Sequence, residues 1–460
     1  MGGLALAVVA AALMARPTYR LPALLVAVFA IPGNVDNLMP QMRLDPNFLA
    51  NNTAPAISVV DLLIIWALLL TIRERGLQRG SGYPRAALML GIALAGAAAL
   101  SAGVAAATGV EPEAAIRGWM TLTRLPALLY LAIALREQLA DGRWVVAACA
   151  VGGVALLGNG LYTSTAGELE RFTASTFGRN GFALALVLSA VGSGGLALWR
   201  HQRGTGSPWL TLAAALIAVA CIYGALATGT RMAVMALVPA LIAGLLISRF
   251  WLARRSVRAV AIAITVLVAT MATANLTAEG GRALSGLLDP GGTVDIITNP
   301  EDEPEWSPVR SRSEFWAHAV AMAVERPIVG VGPYQWNFVR YERDPDAVQV
   351  VADPHNAYLQ LAAEYGFAAV AVYVAMLAVV AIGILDAAWR NRQPLSFATV
   401  ALVIGAAIYP VTELTNSHLF NVRMGAAGWI VIASALVVMR GLSMGLHDVV
   451  EGASAGTGQT

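Results

Sequence analysis

The chain has 460 residues, of which 58% are hydrophobic and 13% are charged, and its formal net charge is +2. Its mean hydropathy is +0.67, and counting its 44 glycines takes the apolar share well above the roughly 45–50% typical of soluble chains. This composition excludes a set of ordinary soluble domains and indicates an all-α, polytopic membrane protein. The net charge gives no indication of a nucleic-acid partner, and none is predicted.

Apolar stretches recur along almost the whole chain, and a helix needs about 20 apolar residues to cross a bilayer. The first two stretches, 4–15 and 21–32, are short and are separated by Arg16 and Pro17, so they form either one broken span or two short ones. Eleven later stretches come near the required length: 55–72, 86–108, 116–135, 144–162, 181–199, 209–227, 231–248, 258–275, 367–388, 395–411 and 425–440. The sequence therefore predicts about 12 transmembrane helices.

The arginines are distributed unevenly between the short loops that join these spans. Fourteen lie in one set of loops and four in the alternate set. Because basic residues favour the cytoplasmic side, the second set is predicted to face outward, together with residues 33–54. The predicted organisation is an N-terminal transmembrane bundle (1–275), an outward, periplasmic loop (276–366), C-terminal transmembrane helices (367–440) and a cytoplasmic tail (441–460).

The outward loop is far longer than a structural connection requires, so we expect it to carry the function. Ser313 can cap a first helix in this loop, which is predicted to run to about Glu325. One stripe of this helix is apolar, as in a helix that packs against a core. The stripe consists of Phe315, Trp316, Ala319, Val320 and Ala323.

His355 is the strongest candidate for chemistry. Asp353 as N-cap and Pro354 at the first position are predicted to open a second helix, which Gly366 closes. His355 would occupy the second position, where the partial positive charge of the helix N-terminus disfavours imidazolium. A neutral histidine can accept a proton near pH 7, as a general base must; the alternative is a capping or interface histidine. His418, in a short outer loop, is a weaker candidate.

Three arginines are candidates for binding an anion on the outer side. Arg231 follows the tight turn 228–230 and opens a span at about the depth of lipid phosphates, where it is costly unless paired or extended to the headgroups. Arg312 lies at the start of the first loop helix, and Arg179 is a third outward-facing cation where the chain returns to the membrane. The alternative for Arg231 is simple contact with lipid headgroups.

The outward loop contains no established metal-binding or nucleotide-binding motif. It lacks the HExxH, P-loop and GxSxG patterns, which argues against a zinc protease, an ATPase or an α/β-hydrolase. The acidic residues 301–305 are more typical of a solvated surface than of a metal site. No metal or other cofactor is predicted.

Three blocks of residues resemble the O-antigen ligase and polymerase superfamily. Residues 353–359, Asp-Pro-His-Asn-Ala-Tyr-Leu, followed by Glu-Tyr-Gly at 364–366, are similar to its His-Asn-x-x-Leu signature. Residues 312–316 and 327–332 resemble its Arg…Trp and Pro-x-x-Gly-x-Gly block, and 228–231 resembles its small-residue turn followed by Arg. The blocks stand in the family's order and span roughly 228–366.

The resemblance implies transfer of a glycan from undecaprenyl diphosphate to an acceptor sugar hydroxyl, with inversion and without metal, at the periplasmic face of a bacterial inner membrane. His355 would be the base, and Arg231, Arg312 and Arg179 would bind the diphosphate. Six further residues of the blocks would support them: Asn356, Tyr358, Glu364, Gly330, Gly332 and Trp316.

The resemblance does not distinguish between the acceptors that members of this family use. A ligase would use a glycolipid, the lipid A-core, whereas a polymerase would use another glycan and a protein O-oligosaccharyltransferase would use a polypeptide. A lipid or glycan transporter is the alternative from a different class. Transporters usually place polar groups at mid-membrane in interrupted helices, whereas the candidate residues here gather on one side.

Overall fold

The computed structural model describes residues 2–31, 57–78, 80–110, 112–139, 142–165, 178–204, 207–228, 308–344, 353–391 and 395–443, with the isolated residues 41–43, 53–55, 230, 265, 269 and 270. The predicted span 231–248, most of 258–275, the first part of the outward loop and the predicted cytoplasmic tail after residue 443 lie outside the described residues.

Helices account for nearly all regular structure in the described residues. In chain order they are α1 (Gly2–Met14), α2 (Arg20–Ala30), α3 (Val59–Arg75), α4 (Gly82–Ala107), α5 (Pro112–Ala134), α6 (Arg136–Leu139), α7 (Arg143–Thr165), α8 (Gly178–Arg203), α9 (Pro208–Ala227), α10 (Pro308–Glu325), α11 (Trp336–Arg343), α12 (Ala357–Tyr365), α13 (Phe367–Arg390), α14 (Phe397–Thr412) and α15 (Val422–Ser443). Two short antiparallel strands, β1 (Gln41–Arg43) and β2 (Thr53–Pro55), pair with Met42 opposite Ala54. The all-α prediction is thus confirmed for the described residues apart from this small ribbon.

Six of the described helices are long and apolar enough to cross a membrane: α4, α7, α8, α9, α13 and α15. Three shorter helical stretches, Leu4–Met14, Pro17–Ala30 and Phe397–Thr412, are also apolar. Helices α3 and α5 occupy two further predicted spans but carry buried charged residues. These helices confirm a polytopic membrane protein, while the total of about 12 spans stays a prediction.

The chain begins with two short helices rather than one broken helix. Helix α1 ends at Met14, and a short 3-10 helix, Pro17–Tyr19, leads into α2. Pro17 cannot donate a backbone hydrogen bond, so the helix cannot continue through it. Arg20, buried at the start of α2, forms a 2.7 Å ion pair with Glu74 near the end of α3, which compensates its charge.

A buried charge cluster joins α3 to α5. Asp61 lies in the first turn of α3, where its side chain and that of Ser58 form a capping box. The Asp61 carboxylate accepts a 2.9 Å hydrogen bond from Nε of Arg124 and lies 3.4 Å from a terminal nitrogen of Arg117. Arg117 also donates to the hydroxyl of Tyr334 at 3.3 Å, which fastens the outward loop to the bundle.

Ion pairs mark one end of the bundle, which we call the arginine-rich end. There Arg75 contacts Glu137 at 3.3 Å, and Arg440 contacts Asp386 at 3.1 Å. Helix α13 ends at this level with Arg390, which also pairs with Asp386. Because α13 follows directly after α12, the loop helices lie at the opposite end, which we call the arginine-poor end because the short loops predicted there hold only four arginines.

Candidate active site

His355 lies just before α12 and not inside a helix, so the predicted helix start at Asp353 and Pro354 is wrong. The side chain of Asn356 is the N-cap and accepts the backbone N–H of Leu359 at 3.0 Å. Asp353 instead accepts the backbone N–H of His355 at 2.7 Å, a local turn that asparagine and aspartate favour. His355 therefore stands outside the first helical turn, with a left-handed φ of 54°, and the helix-terminus argument for a neutral imidazole does not apply.

The Asp353 carboxylate, and not a helix end, orients the His355 ring. Its Oδ1 lies 3.1 Å from Nδ1 of His355, and both side chains are partly exposed. Burial by itself raises the pKa of Asp353, but the charge and hydrogen bonds of His355 outweigh it and lower that pKa to about 2. Because an ionised carboxylate can only accept hydrogen bonds, Nδ1 of His355 is the donor in this contact.

Helix α10 forms one wall behind this pair. Nε1 of Trp316 donates to the carbonyl of Pro354 at 3.0 Å, and the ring of Phe315 meets the His355 ring edge-on with centroids 6.3 Å apart. The Arg340 guanidinium lies 4.7 Å from the centre of the buried Phe315 ring. These contacts fix the backbone of the histidine segment and one face of its ring.

The end of α14 and the loop that follows it form the opposite support. Nδ2 of Asn356 donates to the carbonyl of Leu414 at 3.0 Å, and the hydroxyl of Tyr358 donates to the carbonyl of Pro410 at 2.9 Å. Asn356 thus both caps α12 and docks it. The structure places Trp316, Asn356 and Tyr358, which the sequence blocks gave as supporting residues, around the His355 segment.

A second polar group, Ser417 and His418, lies in this loop, and of the two only His418 was a candidate, a weaker one, in the sequence analysis. Ser417 contributes to lowering the pKa of Asp353, and the charges of Asp353 and His355 both act on His418. Burial lowers the pKa of His418 to about 4, so its ring is neutral at pH 7, and burial also raises the pKa of Glu413 well above its usual value. The signal available in the sequence was the density of polar residues at 412–418, directly after an apolar span.

Glu364 has a structural role near the outward loop. It is fully buried at the end of α12 and accepts a 3.2 Å hydrogen bond from Gln360. Burial raises the pKa of its carboxyl to about 8, so it is mostly protonated at neutral pH. A neutral carboxyl that contacts its own helix supports the fold rather than an anion or a proton transfer.

Gly330 and Gly332 allow the outward loop to lie against the C-terminal end of α12. Both have positive φ, and a Cβ on Gly330 would come within 2.3 Å of the Glu364 carbonyl carbon. The backbone N–H of Val331 donates to the carbonyl of Ala363 at 2.8 Å, and that of Gly332 to the carbonyl of Glu364 at 3.2 Å. The glycines of this block therefore dock the loop and do not touch His355.

Replacing Gly330 by alanine is expected to destabilise the docked loop by about 1–3 kcal/mol or more, because a non-glycine residue at positive φ is strained and the clash is with backbone. Limited proteolysis of the purified protein should then cleave the outward loop faster. Gly103→Ala is the matched control, since Gly103 lies in helix α4 with open space around its Cβ position. Equal cleavage rates in the two variants would contradict the docking role.

Of the three candidate arginines, only Arg312 has its side chain among the described residues. Arg312 is partly buried in the second turn of α10, which begins at Pro308 and not at the predicted cap Ser313, because proline suits a first helical position. The side chains of Arg179 and Arg231 lie outside the described residues.

The segments beside these two arginines are described. Asn180, next to Arg179, donates to Asn416 at 2.7 Å, in the loop that carries His418. Thr228 and Thr230, before Arg231, are buried and their hydroxyls lie 2.9 Å apart.

The predicted stripe of α10 needs one correction, since Val320 is exposed on the side away from Phe315 and Ala319. In the part of the chain that the structure describes, no three His, Cys, Asp or Glu side chains could hold a metal ion.

The fold and the site define an integral membrane protein with a histidine and carboxylate pair at the arginine-poor end of its bundle. Residues 214–374 match the family model described as O-antigen ligase. The match confirms the resemblance to the O-antigen ligase and polymerase superfamily, and it includes Arg231, Arg312 and His355 but not Arg179 or His418. No curated protein matches the chain. The similarity to this family supports, in general terms, glycan transfer of the ligase or polymerase type from lipid-linked substrates.

Proposed function

We propose that the chain is a bacterial inner-membrane glycosyltransferase of the O-antigen ligase type. It transfers a glycan from undecaprenyl diphosphate to a sugar hydroxyl of the lipid A-core at the periplasmic face, with inversion and without a metal or other cofactor. The observation that carries the proposal is the contact between Nδ1 of His355 and the Asp353 carboxylate, within a segment that the family match includes.

In this mechanism Nε2 of His355 removes the proton from the acceptor hydroxyl. The freed oxygen attacks the anomeric carbon of the donor on the face opposite the diphosphate, so the new carbon–oxygen bond forms with inversion. The old bond breaks and its electron pair leaves with the diphosphate. A base whose ring is held by a carboxylate at Nδ1 suits this proton transfer, which typically contributes about 10²–10⁴-fold to the rate.

Arg231 and Arg312, with Arg179 as a third cation, bind the diphosphate while negative charge develops on it. Arginine suits this role because its planar fork donates two parallel hydrogen bonds to a phosphate, whereas lysine is a point charge. Asp353 acts through His355 as a positioning residue, because it holds the proton on Nδ1 and becomes a counter-ion when the imidazolium forms.

Arg231→Lys and Arg312→Lys are each expected to slow transfer by about tenfold or more. A hydrogen bond to a charged group contributes about 1.5–3 kcal/mol, and 1.4 kcal/mol corresponds to a factor of ten. The measurement is transfer by purified protein in detergent, with a lipid-diphosphate-linked glycan as donor and lipid A-core as acceptor. Arg326→Lys is the matched control, since Arg326 is exposed at the other end of α10. Near-normal rates in both test variants would contradict diphosphate binding and favour the alternative, in which these arginines only contact ordinary lipid headgroups.

The same assay tests the acceptor. A product that joins the glycan to the lipid A-core supports the ligase assignment. Elongation of the lipid-linked glycan without that product would instead indicate a polymerase, and a wild-type protein that uses neither acceptor would contradict the proposed function.

A further inference from the structure

Helix α10 has two apolar faces, of which only one packs against the protein. The inner face carries Phe315, Ala319 and Met322, which are buried in a small core with Trp336 and Ala363. The outer face is exposed and also apolar, although a helix in a water-facing loop normally carries polar residues there. Its residues, which we call the apolar stripe, are Ala317, Val320, Val324 and Ile328.

The exposure of this stripe increases toward the end of the helix. Val324 is 64% exposed and Ile328, in the following turn, is 73% exposed. The spacing of the four residues keeps them on one side of α10 and of the turn after it. A contiguous exposed apolar surface of this kind marks a contact with a membrane or with another protein.

The turn after α10 is fastened to two helices that are long and apolar enough to cross a membrane. The carbonyl of Val329 accepts a 2.8 Å hydrogen bond from the hydroxyl of Ser101 on α4, and the carbonyl of Pro327 accepts one of 2.8 Å from the backbone N–H of Phe367, the first residue of α13. Ser101 lies six residues before the end of α4 at Ala107, which corresponds to about 9 Å along the helix axis. Ile328 is therefore at the level of the membrane-spanning part of α4.

The surface around Ile328 is apolar on both neighbouring helices. Leu100 of α4 is 57% exposed and Phe367 of α13 is 47% exposed. Glu325, the nearest acidic residue of α10, forms an ion pair with Arg343 of α11, so its charge is compensated. The apolar stripe thus continues the exposed apolar surface of the two spanning helices without an uncompensated acid.

We propose that α10 is an interfacial helix whose apolar stripe lies in the lipid leaflet at the arginine-poor end of the bundle. The occupant of this face is lipid, because the stripe is continuous with the surface that α4 and α13 present to the bilayer. A helix with one apolar face in lipid and its polar groups elsewhere is held at the membrane surface by buried apolar area. Since Phe315 and Trp316 of α10 contact the His355 segment, the lipid contact also fixes the height of His355 above the bilayer; this consequence for catalysis rests on the proposed function.

The proposal is tested with a fluorescent probe on a single cysteine. Cys149 and Cys221, both buried, are replaced by alanine, Val324→Cys is introduced and labelled with bimane, and the protein is reconstituted into phosphatidylethanolamine and phosphatidylglycerol vesicles. Brominated phospholipids are expected to quench the probe, whereas aqueous iodide is expected to quench it only weakly. Glu314→Cys is the control, because Glu314 is an exposed acidic residue in the second turn of the same helix, at the end away from Ile328. Its probe should show the reverse pattern.

Val320→Cys gives a second measurement if the first variant does not fold. Quenching of the stripe positions by iodide as strongly as the control, with no effect of bromolipid, would overturn the proposal. Protection from both quenchers that increases with the ratio of protein to lipid would also overturn it, since it would assign the stripe to contact with a second copy of the chain. Quenching reports location and not turnover, so this outcome is independent of whether the protein transfers glycans.

Discussion

His355→Gln is expected to slow glycan transfer by about 10²–10⁴-fold, the usual loss when a positioned base is removed. The amide keeps hydrogen-bonding capacity but cannot take the proton from the acceptor hydroxyl. His355 lies in an irregular segment that Asn356, Trp316 and Asp353 hold through other atoms. The substitution should therefore leave expression, membrane insertion and donor binding close to those of the wild type.

The measurement is turnover by purified protein with the lipid-diphosphate-linked donor, in the presence of a chelator. His201→Gln is the matched control, because His201 is exposed near the arginine-rich end of α8 and should leave the rate unchanged. A His355→Gln rate within about threefold of the wild type, far less than a base contributes, would contradict the base assignment. Loss of wild-type activity on adding chelator would contradict the metal-free mechanism.

Asp61→Ala is expected to destabilise the protein by about 3–5 kcal/mol, because it leaves buried guanidinium groups without their counter-ion. Asp61, Arg117 and Arg124 are all nearly inaccessible to solvent, and the two arginines share the one carboxylate. The variant also loses the capping box of α3. Because Arg117 contacts Tyr334, we expect the outward loop to loosen together with the bundle.

Thermal unfolding in detergent, followed by loss of the monodisperse peak on size exclusion, measures this effect. Asp386→Ala is the matched control, since Asp386 also contacts two arginines, Arg390 and Arg440, but at a solvent-accessible end of the bundle. Exposed ion pairs contribute little, so the control should melt close to the wild type. Equal melting temperatures for the two variants would show that the Asp61 cluster is not a stability determinant.

The residues of the candidate site could be proposed from linear patterns, but their geometry could not. The blocks around His355 and Arg312 could be recognised because their residues are close in sequence, and the family match over 214–374 confirms that recognition. The predicted start of α12 failed because Asp353 and Asn356 are both good caps, and the choice between them depends on docking. Asn356 also reaches Leu414, more than fifty residues away, and no local rule includes that contact.

Contacts between distant parts of the chain also explain why local patterns did not reveal the roles of the glycines and of Ser417 and His418. Gly330 stands in a recognisable block, yet its requirement arises from the backbone of Glu364 on another helix. Ser417 and His418 reach the Asp353 and His355 pair only because α14 and α15 bring their connecting loop beside the start of α12. The Asp61 cluster likewise joins residues 56 and 63 positions apart in the chain.

The sequence by itself determined the membrane class, the approximate positions of the described apolar helices and the resemblance to the family, because hydrophobicity over about 20 residues and short motifs are local properties. The tertiary structure alone decided that Asp353 orients His355, that Asp61 compensates two buried arginines, and that α10 keeps an apolar face exposed beside α4 and α13. Each of these depends on which helices pack together, and a carboxylate can compensate a distant cation only after folding has brought the two into contact and excluded water.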